Sequence, residues 1–434
     1  MGIFGPRREP GEPHPRREPR YPGPLTLAGV EEIFRDCVDF TKRPVALEGG
    51  PALTLCYLSG MVKMERVSDY VLRPLAQDKS LAGCADMGAL MKKMEDGALY
   101  NLSAAERTTL DQAAFDLVSG WCLLFFPGES AVLSLFTGTE EKRSISAPSN
   151  ETVLKGARDA FVESLRTNTS IVRRHIKAPE LRIREQTVGR QSATLVDILY
   201  IEGLTDPALV NRVAGRLADI DIDAVLATGN IEEYIVPAQR TPFPLLQYTE
   251  RSDRFCAGLA EGRVGILIDG LPLGYLAPGV LGDFLRAPQD KSESWMLATV
   301  LTLLRYTCML LTLLLPALYV AMVTFHQEMI PTKLALSIIA AKQDVPFRSG
   351  FEVIVLLLAF EILQEAGLRL PQSIGQTVSI IGGLVVGSAA VEAKIVSPAV
   401  LIVVAVAGIA GYTMPSQELG GALRIWRFVL VLLS

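Results

Sequence analysis

Three glutamates, Glu352, Glu361 and Glu365, interrupt one apolar stretch of this 434-residue sequence, where a carboxylate needs a reason to be. Glu361 and Glu365 lie four apart, so on a helix they share one face, while Glu352 points roughly the other way. If the segment around them crosses a bilayer, these groups must face protein, a partner or water rather than lipid. Two chemistries fit: the pair lines an ion path and sets cation preference, or it pairs internally, for example Glu365 with Arg369 one turn on. His326 and Glu328, just past the first long apolar run, are candidates for gating or for a place among headgroups. Ser379, Gly383 and Gly387, spaced by four, form a stripe on which a neighbouring helix can approach closely. Such a stripe packs helices, and close packing around a symmetry axis would itself build a pore.

The water-facing half offers weaker chemistry. Arg166, Arg173, Arg174, His175 and Lys177 form a basic cluster suited to anionic headgroups, to a partner's acids or to a solvated face. Residues 248–254 (YTERSDR) contain Glu250, Arg251, Asp253 and Arg254, a pattern that reads as an ion-pair knot at a domain joint before it reads as a ligand site. Asp219, Asp221 and Asp223 alternate as in a calcium loop, but the sixth position is Ala224 and the twelfth Asn230, so a strand edge with solvated carboxylates fits better. Three dispersed histidines support no metal site. No phosphate loop or dinucleotide fingerprint occurs, no cofactor is implied, and no nucleophile, base or metal constellation suggests an enzyme. Six cysteines stand singly and read as reduced core thiols. The net charge of −5 and the lack of an aromatic-studded basic patch set nucleic acid aside.

The elements that must position these groups divide at about residue 295. Beyond it the sequence supplies several long uncharged runs, three of them about as long as a crossing of the ~30 Å hydrocarbon core requires. The first run, 295–325, is broken by Arg305 alone; longer than a bilayer crossing needs, it should start in the interface or tilt. Residues 351–367 carry the three glutamates. Residues 371–391 and 395–415 are uncharged, with Pro398 near the start of the latter, where a missing amide proton costs least. A helix after Leu419 carries Arg424 and Arg427 and reads as a fifth span that the sequence breaks off. Residues 333–341 read as a short amphipathic helix along the interface.

Ahead of the membrane region, residues 1–24 are Arg, Pro, Gly and Glu with little to bury and read as a disordered tail without the apolar core of a signal peptide. A first soluble α/β subdomain is expected over 25–139, with a helix at 25–42, a strand within 52–62, a helical patch at 102–119 and a strand-turn-strand signal at 121–136 around Pro127 and Gly128. A linker and helix follow at 140–160. A second α/β subdomain is expected over 161–290, with strands at 194–201 and 264–269 and a helix capped by Asp206-Pro207. The membrane domain spans 295–434. A large front without an export signal is placed in the cytoplasm, although Lys/Arg counting gives that orientation weak or contrary support.

Several segments carry a resemblance. Residues 161–179 (FVESLRTNTSIVRRHIKAP), 188–190 (VGR), 243–253 (FPLLQYTERSD), 261–270 (EGRVGILIDG), 315–331 (LPALYVAMVTFHQEMIP), 345–347 (VPF), 365–376 (EAGLRLPQSIGQ) and 387–397 stand in an order and spacing similar to the A subunit family of GerA-type spore germination receptors. The resemblance covers about residues 150–430 and is loose over 25–150. It implies a subunit of a nutrient germinant receptor in the bacterial spore inner membrane, with a cytoplasmic α/β front of two subdomains and about five spans. It further implies homo-oligomers, as pentamers, forming a ligand-gated cation channel that triggers germination. A transporter-like B subunit, a lipoprotein C subunit and membrane lipid are the implied partners. The family's stage V sporulation AF branch, acting as an accessory channel, stays open, as does a pore-less signalling or scaffold protein. Ser252 and Arg348, where the family more often has proline, bear on branch rather than family.

Overall fold

The computed structural model describes residues 20–47, 52–77, 81, 86–99, 103–138, 151, 159–225, 228–236, 241–369 and 387–434. The chain divides into two compact units, one of residues 1–152, 157–235 and 248–277, the other of residues 153–156, 236–247 and 278–434.

The first unit is an α/β structure built on two five-stranded sheets. The first sheet holds β1 (Phe40–Val45), β2 (Leu53–Leu58), β3 (Ala104–Arg107), β4 (Trp121–Phe125) and β5 (Val132–Phe136) in the order β1-β2-β4-β5-β3, all antiparallel. The expected hairpin is there: β4 and β5 pair from Trp121 with Phe136 to Phe125 with Val132, and Gly128 takes the positive φ of 85° that their turn requires. Both faces of the sheet are covered, which is why its inner strands read as unbroken apolar runs. Leu55, Leu124, Leu133 and Leu135 pack on one side with Leu90 and Met94, while Leu58, Leu123 and Val132 pack on the other with Val30, Phe34, Ala113 and Leu117.

Helices α1 (Leu27–Ile33) and α2 (Leu110–Val118) supply that second side, each capped by a threonine, Thr26 and Thr109, that accepts a backbone N–H. Two expectations are corrected here. The helix expected over 25–42 ends at Ile33, because the chain turns through Asp36 at a φ of 61° and enters β1. The helical patch expected over 102–119 begins with strand β3, whose polar AAER sequence pairs with β5 at the sheet edge.

The second sheet holds β6 (Leu181–Val188), β7 (Thr194–Ile201), β8 (Gln247–Thr249), β9 (Val264–Ile268) and β10 (Gly274–Ala277) in the order β6-β7-β9-β10-β8. Helices α3 (Leu165–His175), α4 (Pro207–Ala218) and α5 (Ser252–Ala260) pack on it. Asp206 caps α4 as expected, its Oδ1 accepting from Ala208 N at 2.9 Å. A Cβ at Gly265 would stand 2.3 Å from the Phe255 ring, so this glycine lets α5 settle onto β9. Residues 219–223 form no strand: Asp219 ends α4, and the backbone carbonyls of Ile222 and Asp223 accept from Arg190 and Gln191. Asp221, well exposed, pairs with Arg190. Helix α3 begins at Leu165, beyond the linker and helix expected at 140–160, which lie largely outside the described residues.

The second unit is helical. Helix α6 (Trp295–Thr324) is 30 residues long, with Pro316 inside it and Ser294 capping its start. Helices α7 (Thr332–Lys342), α8 (Ser349–Arg369), α9 (Pro398–Gly411) and α10 (Gln417–Leu433) follow. Helix α6 packs on α9 and α10, and α8 packs on α9, around Val320, Val353, Leu357, Val400 and Val404. No residue of α7 is buried.

Among the described residues α6 alone is long and apolar enough to cross a membrane. Only 28% of its most apolar window is buried, which separates it from the core helix of a soluble domain. Leu303, Leu304, Leu310 and Leu318 are at least half exposed along it. Helix α9, at 14 residues, is apolar but shorter than a crossing needs. Helix α8 is long enough, but its three glutamates lower its apolar character. Five spans therefore exceed what the described residues establish, and the run expected at 371–391 lies largely outside them, as do residues 1–19 and most of the 140–160 linker.

Candidate functional site

The acidic residues of the helical unit fall into distinct settings. Glu361, on α8, is paired: Arg427 Nη2 of α10 donates to its Oε1, and Arg424 Nη1 lies 3.5 Å from its Oε2. Arg427 is 2% exposed, so α8 and α10 are tied by a nearly dry ion pair. A carboxylate flanked by two guanidiniums is over-compensated, and the cluster carries a net positive charge. Glu365, one turn on, is exposed. The expected same-face relation of the two glutamates holds, but their surroundings differ, and the side chain of Arg369 lies outside the described residues.

Glu352 lies at the other end of α8 and is 1% exposed. Its Oε2 accepts from Ser397 N at 2.8 Å, so the carboxylate sits at the start of α9, where the helix dipole favours negative charge. The Lys342 ammonium is 3.5 Å from Oε1 and donates to Ser349 Oγ. His326 and Glu328 lie past the end of α6 with Nδ1 and Oε1 3.5 Å apart, both well exposed. Of the small-residue stripe, Ser379 and Gly383 lie outside the described residues. Gly387 is buried, and a Cβ there would touch Leu401 of α9 at 3.4 Å, which supports close packing at that point. Arg305, the charge that interrupts the first apolar run, reaches back to Asp290 at 3.0 Å and to the carbonyl of Leu285.

In the α/β unit the basic cluster is dispersed over separate environments. Arg173 is fully buried; its Nε and Nη2 bind Asp39 Oδ2 and Oδ1 at 2.8 and 2.9 Å, and its Nη1 donates to Leu181 O at 3.0 Å. Burial alone would depress the guanidinium, but the Asp39 charge and hydrogen bonds more than reverse this and hold it above its usual range. This bidentate pair joins the two sheets of the unit. Around it, Val38 N donates to Ile183 O at 3.0 Å, Arg184 Nη2 binds Asp36 at 2.9 Å and Arg20 Nη1 binds Glu180 at 2.9 Å.

Arg174 and Lys177 are exposed, and His175 Nε2 meets Ser252 Oγ at 3.1 Å. Arg166 pairs with Glu185 and stands 3.8 Å from Asp197. Burial pushes the Asp197 carboxyl up to about 6, against the opposing hydrogen bond from Thr169 and the charge of Arg166.

The 248–254 stretch is an ion-pair knot. Arg251, 2% exposed, binds Asp253 at 2.7 Å; Arg254 binds Glu151 at 2.5 Å; Glu250 Oε1 accepts from Glu151 N at 2.6 Å. The five described cysteines are free and buried, and burial pushes Cys56, Cys122 and Cys256 up to about 12.

Sequence reasoning missed the partners: Asp39, Glu151 and Asp197, and Arg427 as the holder of Glu361. Arg173 and Asp39 stand 134 residues apart, and no local pattern encodes such a meeting. The signal that was available is the arginine itself, next to the apolar pair Ile171 and Val172.

The family model described as "Bacillus/Clostridium GerA spore germination protein" matches residues 28–434. The chain is 38% identical over 408 residues to the uncharacterized membrane protein YfkQ of Bacillus subtilis, covering 94% of this chain and 79% of that one. It is also 38% identical over 382 residues to spore germination protein KA of Bacillus subtilis, covering 88% of this chain and 70% of that one. Among solved structures, the N-terminal domain of the A subunit of the Bacillus megaterium spore germinant receptor GerK3 is 31% identical, covers 59% of this chain and 94% of its own, and has a TM-score of 0.47. With one family model accounting for nearly the whole sequence, and relatives this similar over most of its length, the chain belongs to the GerA family of spore germination proteins.

Proposed function

We propose that this protein is the A subunit of a spore nutrient germinant receptor, which oligomerises in the spore inner membrane into a ligand-gated cation channel that triggers germination. The observation that carries the reading is the match to the GerA family over residues 28–434. The long helix α6 supports a membrane setting, because its exposed leucines need lipid or other copies of the chain to cover them. Nutrient recognition falls to a transporter-like B subunit, a lipoprotein C subunit completes the receptor, and the A subunit acts without cofactor or catalysis. The α/β front faces the cytoplasm.

In this reading Glu365, exposed on α8, and Glu361, paired with Arg424 and Arg427, set the cation preference. His326 and Glu328 are gating candidates at the end of α6, and the Ser379, Gly383, Gly387 stripe packs the spans. Arg174, exposed on α3, and the knot of Glu250, Arg251 and Asp253 are candidates for contact with the other subunits.

The test is potassium release from liposomes holding the assembled receptor, with nutrient added. Glu365→Gln lowers the nutrient-triggered flux several-fold and leaves assembly intact. Unchanged flux removes Glu365 from the path. A second reading, a pore-less signalling or scaffold protein of the germination machinery, is favoured by one observation: Glu361 is engaged within its own chain. An assembled receptor that carries no ion flux supports that reading.

A further inference from the structure

Among the described residues of the helical unit, the buried oxygens without a hydrogen-bond partner include Glu352 Oε1, Tyr319 Oη and Ser397 Oγ. All three belong to residues less than 9% exposed, on α8, on α6 and at the N-cap of α9. They share one place. Ser397 N donates to the other oxygen of the same carboxylate at 2.8 Å, and the Tyr319 phenol lies beside both Ser397 and Glu352 without a hydrogen bond of normal geometry to either. Buried polar groups are seldom left unsatisfied, and three converging on one spot point to a guest.

The donor set tells what the guest is. Oxygen ligands with no nitrogen or sulfur suit hard cations. One carboxylate cannot balance a divalent ion, for which calcium sites gather six to eight oxygens and several acids. The negative charge of Glu352 is answered only in part: the Lys342 ammonium stays 3.5 Å from Oε1 and is engaged by Ser349 Oγ. Lys342 is partly exposed, whereas Glu352 is not, so the ammonium approaches from the rim of the site.

We propose that Glu352, Tyr319 and Ser397 form a binding site for a small monovalent cation, with the Lys342 ammonium competing for the same carboxylate. The site ties α6, α8 and α9 together, so its occupancy acts on the packing of the helices themselves. It does not depend on the chain conducting ions, since a subunit without a pore can bind one.

The experiment is equilibrium binding of radioactive rubidium to the full-length chain in lipid nanodiscs, with choline chloride holding ionic strength constant. Saturable binding is expected, competed by potassium and indifferent to choline. Glu352→Gln abolishes it. Lys342→Met, which removes the competing charge, tightens it by about tenfold, the scale of a close pair that solvent screens nearly to the bulk-water limit, as it does a partly exposed ammonium. Tyr319→Phe keeps the ring packing and weakens binding, which keeps the test decisive if Glu352→Gln fails to fold. Absence of saturable binding in both wild type and Lys342→Met would mean that only water occupies the site and would overturn the proposal, as would binding that Tyr319→Phe and Lys342→Met leave unchanged. Because binding is read without flux, its failure is distinct from failure of the channel reading.

Discussion

The clearest consequences at the scale of single residues come from charges taken out of water. Arg173 is fully buried against Asp39, and breaking such a pair by removing one partner leaves the other charge uncompensated. Arg173→Met should therefore destabilise the α/β unit by about 3–5 kcal/mol, read by denaturant unfolding of the full chain, while the double variant with Asp39→Leu recovers much of the loss. A double variant no better than the single one would contradict that account. Asp197 has the opposite sign. Its folded carboxyl titrates near 6, above its unfolded range near 4, so the folded state binds the extra proton and loses stability as pH rises from about 4 to about 6. Asp197→Asn should gain on wild type over that window, by up to roughly 3 kcal/mol, and hold a constant advantage above it. A difference that is flat from pH 4 to 7 would refute the burial argument. Neither residue's role was legible in the sequence. Arg173 was singled out as part of a basic cluster, but its partner lies in the other half of the unit, and Asp197 sits within an apolar strand run where only the fold reveals that its side chain points inward at Thr169.

Periodicity and turn chemistry identify some secondary elements and miss others, for reasons visible in the residues. The 121–136 hairpin was readable because two apolar runs flank Pro127 and Gly128, and the Asp206-Pro207 start of α4 because cap and proline coincide. Strand β3 was not, because AAER carries helix-forming residues at a sheet edge where pairing with β5 overrides propensity. The helix expected at 25–42 was cut short by Asp36 at positive φ, which an amphipathic pattern does not announce. Among the helices of the second unit, close approach is decided at Gly408 on α9: a Cβ there would stand 2.7 Å from the Phe360 ring of α8. Gly408→Ala should cost about 1–3 kcal/mol through overpacking, and adding Phe360→Leu should return most of it, read as thermal stability in lipid nanodiscs. If the two substitutions merely add, the helices do not meet at this glycine.

For the whole molecule, the sequence already implied an α/β front followed by a helical region, and an α/β unit and a helical unit are seen. The number of spans was not recoverable to the same degree. Helix α6 declares itself by length and exposed leucines, whereas α8 carries Glu361 and Glu352, whose partners, Arg427, Arg424 and Lys342, come from α10 and α7. A rule that counts charges along one helix cannot know that another helix neutralises them. The same ambiguity bears on assembly. Exposed apolar faces on α6 and α9 can be covered by lipid or by further copies, and only a closed ring gives Glu365 a shared watery axis to line. The mass of the purified full-length chain in lipid nanodiscs, read by native mass spectrometry, decides this most directly. The account predicts one closed homo-oligomer, near five copies; a chain that stays monomeric across all lipid compositions and protein concentrations would contradict it.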